Sequence, residues 1–226
     1  MTELPKIHAV FLRVFLFWTR FYRWLQVDQV WVHRELPDFE TFSRRPVLWV
    51  ANHVSGWDGL ILQLLSFKFL PGHRFYAVMA APGWRENRWL QAVGTIPMDA
   101  QKPMTIRSTF RLLTRSSQTA KAPLSIAYFP QGRIWPSTRR PLGFERGIEV
   151  LMRQHLAQEG AVVIPVAFHW EPTTSLRPQL FVRMGKPMDR ALSFKELEGM
   201  TEALIDSVLC DRHLCGERVS SDWQPL

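Results

Sequence analysis

The sequence predicts an α/β fold in which a mixed, largely buried sheet is flanked by helices, with an amphipathic interfacial helical segment at the N-terminus. After residue 46, short apolar runs alternate with stretches of helical periodicity, which is typical of a sheet covered by helices. Hydrophobic residues make up 46% of the 226 positions, enough for one domain with a substantial core. We therefore divide the chain into an N-terminal helical segment, 1–36, and a main domain, 37–226.

The individual elements follow from this alternation. A polar connector covers 37–46. The apolar runs predict strands at 47–51, 75–79, 95–98, 124–129, 161–168 and 179–184. Helical patterns predict helices near 58–67, 84–91, 103–117, 145–158 and 194–209. Because no long linker interrupts the main domain, functional residues are expected in its loops.

The N-terminal segment is rich in aromatic residues but contains Arg13, Arg20 and Arg23. These charges exclude a membrane span, which needs about 20 apolar residues, and argue against a signal peptide. On a helix, the arginine stripe of Arg13 and Arg20 lies opposite four aromatic side chains, those of Phe11, Phe15, Trp18 and Tyr22. We expect these six residues to contact a membrane surface, with packing on the protein's own core as the alternative.

The formal net charge of +8 suggests an anionic partner. No recognised DNA- or RNA-binding motif accompanies it, so no nucleic-acid partner is expected, although nucleic-acid binding remains an alternative. The two cysteines, Cys210 and Cys215, exclude a disulfide scaffold. Together with His213 they provide three candidate zinc ligands, one short of a structural site, and no metal is expected.

The most informative segment runs from Asn52 to Asp58, directly after a predicted strand and before a predicted helix. Such turns are where α/β folds place reactive side chains. The spacing lets the Asp58 carboxylate reach one imidazole nitrogen of His53, while the other nitrogen faces a substrate. This pairing is typical of a general base. The alternative is that Asp58 only caps the helix and that His53 is a loop residue without chemistry.

Four further fragments follow in order. They are Gly94-Thr95-Ile96-Pro97, Phe129-Pro130-Gln131-Gly132, Gly143-Phe144-Glu145-Arg146-Gly147 and Val163-Ile164-Pro165-Val166. With Asn-His-x4-Asp, this order over about residues 47–187 resembles the glycerolipid acyltransferases of the 1-acylglycerol-3-phosphate acyltransferase type.

The resemblance implies that residues 37–226 form an acyltransferase domain. This domain would move a fatty acyl group from acyl-CoA or acyl carrier protein to a hydroxyl of a lyso-phospholipid such as 1-acylglycerol-3-phosphate. His53 would deprotonate that hydroxyl while Asp58 holds His53, without a cofactor or an acyl-enzyme. The substrate-binding positions would be Gly94, Ile96, Pro97, Phe129, Pro130, Gln131, Gly132, Arg133 and Pro165. The partners would be the thioester donor, the lipid acceptor and a lipid bilayer, with the protein peripheral or monotopic on the cytoplasmic face of a membrane.

Two departures from the family pattern concern the acceptor. Gln131 stands where the family usually has Glu, and Ala100 stands where an arginine is common. Arg133, one position early, could replace a phosphate contact. The departures leave two alternatives: the same chemistry on a non-phosphate acceptor, such as a glycolipid, an amino-acid lipid or another membrane alcohol, or a non-catalytic membrane-surface module.

Overall fold

The computed structural model describes residues 3–99, 102–172, 176–215 and 219–226. Its strands are β1 (Val30–His33), β2 (Val47–Ala51), β3 (Arg74–Ala80), β4 (Thr95–Met98), β5 (Leu124–Tyr128), β6 (Val162–Glu171), β7 (Gln179–Met184) and β8 (Trp223–Pro225). Its α-helices are α1 (Ala9–Gln26), α2 (Asp58–Phe69), α3 (Ala81–Glu86), α4 (Pro103–Thr119), α5 (Gly147–Leu156) and α6 (Phe194–Cys215). Short 3₁₀ helices cover Phe39–Phe42 and Arg88–Val93.

The strands form one mixed sheet in the order β4-β3-β5-β2-β6-β7-β1-β8. The five strands from β4 to β6 are parallel, β7 runs antiparallel to β6, β1 is parallel to β7, and β8 is antiparallel to β1. This arrangement confirms the predicted mixed α/β class.

Helices cover both faces of the sheet, which explains why β2 and β5 are apolar at nearly every position. On one face, Ile61, Leu62 and Leu65 of α2 pack in the same cluster as Trp49. On the other face, side chains of α4, α5 and α6 pack against the sheet, among them Phe110, Leu113, Ile148, Leu151, Leu197 and Ile205. The sheet is therefore buried between helical layers.

The predicted strands are all present, and three have the predicted bounds: β2, β4 and β7. The helix predicted near 84–91 is present as two short helices with a break at Asn87 instead of one continuous helix. Helix α3 ends at Asn87, whose backbone leaves the helical region (φ −123°, ψ 47°), while both its N–H and its side-chain amide donate to the Gly83 carbonyl. Strands β1 and β8 were not predicted. Strand β1 lies within the N-terminal segment 1–36 and pairs with β7.

Helix α1 packs against the 3₁₀ helix at Arg88–Val93 and leaves much of its apolar surface exposed. Thr19 is its buried residue. Among the described residues, no helix combines the length and hydropathy that crossing a bilayer requires.

Candidate active site

The site lies at the edge of the sheet where the parallel strands end. Strands β2 and β5 are neighbours, with Val50 in register with Tyr128. The segments that follow them, beginning at Asn52 and Phe129, therefore leave the sheet side by side. Two of the sequence motifs, far apart in the chain, meet at this edge.

His53 and Asp58 form a hydrogen-bonded pair. The distance between His53 Nδ1 and Asp58 Oδ2 is 2.8 Å. Asp58 Oδ2 also accepts from the backbone N–H groups of Val54 and Ser55 at 2.6 and 2.9 Å, and Asp58 Oδ1 accepts from Ser55 Oγ at 2.6 Å. The Asp58 side chain is fully buried, whereas 23% of the His53 side chain is exposed. The carboxylate is thus fixed by four hydrogen bonds, and His53 Nε2 is the ring nitrogen left for another partner.

Buried amide side chains fix the backbone on either side of this pair. Asn52 donates to the carbonyl of Phe168 at 2.9 Å and accepts from the N–H of the same residue at 2.7 Å. Gln131 accepts from the backbone N–H of His53 and donates to the carbonyl of Leu142 at 2.8 Å. Because each amide both donates and accepts, the His53 backbone is tied to β6 and to the loop after β5.

Aromatic and cationic groups surround His53. The Phe129 ring stacks on the imidazole with centroids 4.5 Å apart. The N–H of Trp135 donates to the His53 carbonyl at 2.9 Å. The Trp135 ring carries the guanidinium groups of Arg139, 3.6 Å from its centroid, and Arg133, 5.0 Å away. Two positive charges are therefore held on the side chain of the residue whose backbone N–H bonds His53.

A cavity of about 500 Å³ opens at His53. It runs between α2 and the β3–β4 edge, and its wall is mainly apolar, with Leu60, Phe75, Met79, Leu90 and Met98 among the lining residues. Its size and lining are those of a site for a small apolar ligand or chain.

Tyr128 and Gln63 also line this cavity. Burial raises the pKa of Tyr128, so its hydroxyl stays protonated near neutral pH. The amide of Gln63 donates to the Val93 carbonyl at 3.0 Å. Both side chains therefore reach the cavity without a net charge.

The predicted substrate-binding residues separate into two groups. Phe129, Gly132 and Arg133 line the cavity with His53, and Gln131 and Pro130 lie buried beside them. The others lie elsewhere. Gly94 is buried with φ +100°, Ile96 packs in the core on the opposite sheet face, Pro97 lines a separate depression, and Pro165 is buried within β6 beside Val50.

Sequence reasoning missed the cavity wall. The β3 residues that line the cavity belong to an apolar strand, whose pattern does not distinguish a core position from a cavity wall. The sequence feature that could have indicated the cavity is Gly59, directly after Asp58. Because Gly59 has no side chain, the space in front of the Phe129 ring stays open. A Cβ added at Gly59 would lie 4.0 Å from that ring.

Helix α1 lies beside the cavity mouth. Phe15 is half-buried and contacts Trp89, and Tyr22 contacts Trp57, the residue before Asp58. Among the residues predicted to contact a membrane, Phe11, Arg13, Trp18, Arg20 and Tyr22 are exposed. The most exposed apolar residues also include Val10, Val14, Phe17, Phe21, Trp24 and Leu25. The exposed apolar face is therefore rotated from the predicted one.

Within the described parts of the chain, no three His, Cys, Asp or Glu side chains are grouped to hold a metal ion. The side chains of His213 and Cys215, considered above as candidate ligands, lie outside the description, as does Ala100.

The comparison with protein families agrees with the order of the motifs. A model of the acyltransferase family matches residues 32–169. The match spans β1 to β6 and includes His53, Asp58, the segment after β5 and all of the cavity-lining residues. The chain belongs to the acyltransferase family, of the glycerolipid type that its motifs indicate, and is an acyltransferase enzyme.

Proposed function

We propose that this acyltransferase moves a fatty acyl group from a thioester donor, acyl-CoA or acyl carrier protein, to a hydroxyl of a lyso-phospholipid, with His53 as general base. The observation that carries the proposal is the His53–Asp58 pair at the mouth of an apolar cavity. A base must lie where the reacting groups meet, and an apolar space of about 500 Å³ beside it suits an acyl group.

The chemistry follows from the two ring nitrogens. Asp58 holds His53 Nδ1, so Nε2 takes the proton of the acceptor hydroxyl. The acceptor oxygen then bonds to the thioester carbonyl carbon, and the carbonyl oxygen becomes negatively charged. As this intermediate collapses, the carbon–sulfur bond breaks, the sulfur leaves as thiolate, and the imidazolium returns the proton to it. Asp58 stabilises the imidazolium while it lasts.

The cavity supports a long acyl chain as the transferred group. Its wall is formed by α2, β3, β4 and the 3₁₀ helix at Arg88–Val93, and its lining is largely apolar. Each methylene buried there contributes about 0.8 kcal/mol to binding. Long chains should therefore bind better than short ones until the cavity is filled.

Arg133 and Arg139 support an anionic acceptor. Arg133 lines the cavity mouth, and Arg139 stacks on the Trp135 ring with a buried Nη1 that has no hydrogen-bond partner among the described residues. A guanidinium offers paired donors that match a phosphate. This pair favours a lyso-phospholipid over an uncharged membrane alcohol.

Helix α1 supports action at a bilayer. Phe17 and Trp24 are 70% and 60% exposed, and the arginines Arg13 and Arg20 flank that apolar face. An exposed apolar face with basic flanks fits anionic lipid headgroups above acyl chains. Since α1 also contacts Trp57 beside the active site, a membrane-bound lipid would reach the cavity mouth directly. We place the protein peripherally, on the cytoplasmic face where thioester donors occur.

The test of the chemistry is thiol release from long-chain acyl-CoA by the purified full chain with 1-acylglycerol-3-phosphate or neutral and glycosylated lipid alcohols. We expect turnover with the lysophosphatidate, lost in His53→Ala and retained in His8→Ala, whose exposed imidazole lies outside the cavity. Turnover confined to uncharged acceptors would reject the lyso-phospholipid, and full activity of His53→Ala would reject the base.

Membrane binding has its own test. The double variant Phe17→Asp/Phe21→Asp should stay in the supernatant when sedimented with phosphatidylglycerol-containing vesicles that carry down the wild type. A matched pair of exposed positions away from α1, Lys186→Asp/Lys195→Asp, should still sediment. Equal sedimentation of all three proteins would contradict the role of α1.

A further inference from the structure

Helix α4 has a basic outer face. Arg107, Arg111 and Arg115 recur every four residues, so they lie along one side of the helix, and all three are exposed. No acidic residue occurs in α4. Within the described part of the chain, none of the three forms an ion pair. Their charge is therefore available to a partner.

Two depressions run along this face. One of about 290 Å³ is lined by Arg85 and Lys102, and one of about 500 Å³ by Arg111 and Arg115. Ser108 and Leu112 line both, so the depressions join into one surface, which we call the α4 groove.

Most of the positive charge in the groove is uncompensated. Lys102 lies 3.6 Å from Asp99, which partly neutralises it, whereas the arginines have no such neighbour among the described side chains. The indole N–H of Trp84, which also lines the groove, is buried without a hydrogen-bond acceptor there. The groove thus offers both charge and an unused donor to an anionic ligand.

The inner end of the groove adjoins the cavity. Cavity residues Gly83 and Met98 are chain neighbours of groove residues Trp84 and Pro97. Helix α4 packs on the sheet face opposite α2, and its arginines are exposed on its outer side. A partner from solution could reach this exposed side.

We propose that the α4 groove docks an acidic carrier protein that presents the acyl thioester on a phosphopantetheine arm. The inference rests on the proposed function and names its donor. From Lys102 to Arg115 the groove follows α4 for about 20 Å, which is longer than one phosphate cluster requires and matches several turns of an acidic helix. Complementary charge along such a length steers association and fixes the orientation of the partner.

The test compares acyl-carrier protein with acyl-CoA of the same chain length as donors for the full-length enzyme. Arg111→Glu/Arg115→Glu should lower kcat/KM for the acyl-carrier protein by about tenfold or more, through KM, and leave acyl-CoA turnover unchanged. The same charge change elsewhere on the surface, Lys186→Glu/Lys195→Glu, should alter neither. Added salt should lower kcat/KM of the wild-type enzyme for the acyl-carrier protein, because salt screens the charges of the groove. It should leave kcat/KM of the groove variant unchanged.

The outcomes separate the two proposals. An equal loss with acyl-CoA would assign the groove to nucleotide phosphates and overturn the carrier inference, as would unchanged kinetics with both donors. Arginine-dependent binding of duplex DNA, with no effect on the carrier protein, would also overturn it. No turnover of any thioester by the wild type would instead refute the proposed function.

Discussion

Replacement of Asp58 by Asn tests the active-site pair because it removes one charge and little else. In the variant, the amide oxygen can take the place of Oδ2 and accept from His53 Nδ1 and from the N–H groups of Val54 and Ser55. The amide NH₂ would then face Ser55 Oγ, which can accept a hydrogen bond. The fold and the orientation of the imidazole should therefore survive.

The loss appears when His53 becomes charged. At 2.8 Å and an effective dielectric of 20, a carboxylate stabilises an imidazolium by about 6 kcal/mol. Because His53 is partly exposed to solvent, we expect about half of this, about 3 kcal/mol, which lowers kcat by about 10²-fold.

The assay is thiol release under saturating donor and acceptor, with thermal unfolding measured in parallel. Ser55→Ala is the matched control, since it removes one hydrogen bond from Asp58 and keeps the charge. It should lower kcat by less than about tenfold. If Asp58→Asn kept a third or more of wild-type turnover, with wild-type thermal stability, the role assigned to the carboxylate would be refuted.

Three further variants test the framework. Gly94→Ala places a Cβ 2.4 Å from the Phe75 carbonyl oxygen at φ +100°, so unfolding should become easier by at least about 2 kcal/mol, whereas Gly72→Ala, with open space, should change little. Burial lowers the pKa of His155 to about 4 in the folded protein. Between pH 6.5 and 4, His155 therefore binds a proton in the unfolded chain but not in the folded one. The free energy of unfolding should therefore fall by about 3 kcal/mol between pH 6.5 and 4. His155→Leu should remove this part of the pH dependence, measured by urea unfolding at a series of pH values. Asn52→Asp replaces the buried amide NH₂ with a second oxygen that faces the Phe168 carbonyl. The variant should lower the free energy of unfolding by about 2 to 4 kcal/mol, and by more at pH 8 than at pH 5, where the carboxyl is more easily protonated. Equal stability of the variant at the two pH values would contradict this reasoning.

The sequence predicted the parts of the fold whose pattern is local. Strands β2, β4 and β7 are short apolar runs, and their bounds could be read directly. Strands β1 and β8 were not predicted, and β1 exists through pairing with β7, about 150 residues away, and β8 through pairing with β1. The helix predicted near 84–91 is divided in two for a local reason: the backbone of Asn87 leaves the helical region, and its N–H and side-chain amide both donate to the Gly83 carbonyl.

The candidate site divides in the same way. The spacing of His53 and Asp58 predicted their hydrogen bond, since four intervening residues can close on themselves. The position of Arg139 depends on its stacking over Trp135, and from the sequence alone a pair of adjacent arginines is more typical of a solvated loop. The cavity depends on how α2 packs against the β3–β4 edge, which no short segment encodes.

The departure at Gln131 has a structural reason. Gln131 is buried, and its side-chain amide makes two hydrogen bonds to the backbone. The amide oxygen accepts from the His53 N–H, and the amide NH₂ donates to the Leu142 carbonyl. A carboxylate could accept from His53 but could not donate to Leu142 unless it were protonated. Leu142 is held in turn by Glu202 of α6, whose carboxylate accepts the Leu142 N–H at 2.9 Å. In this chain the residue after Pro130 therefore joins the His53 backbone to a loop anchored by α6, and an uncharged amide is the side chain that this connection requires.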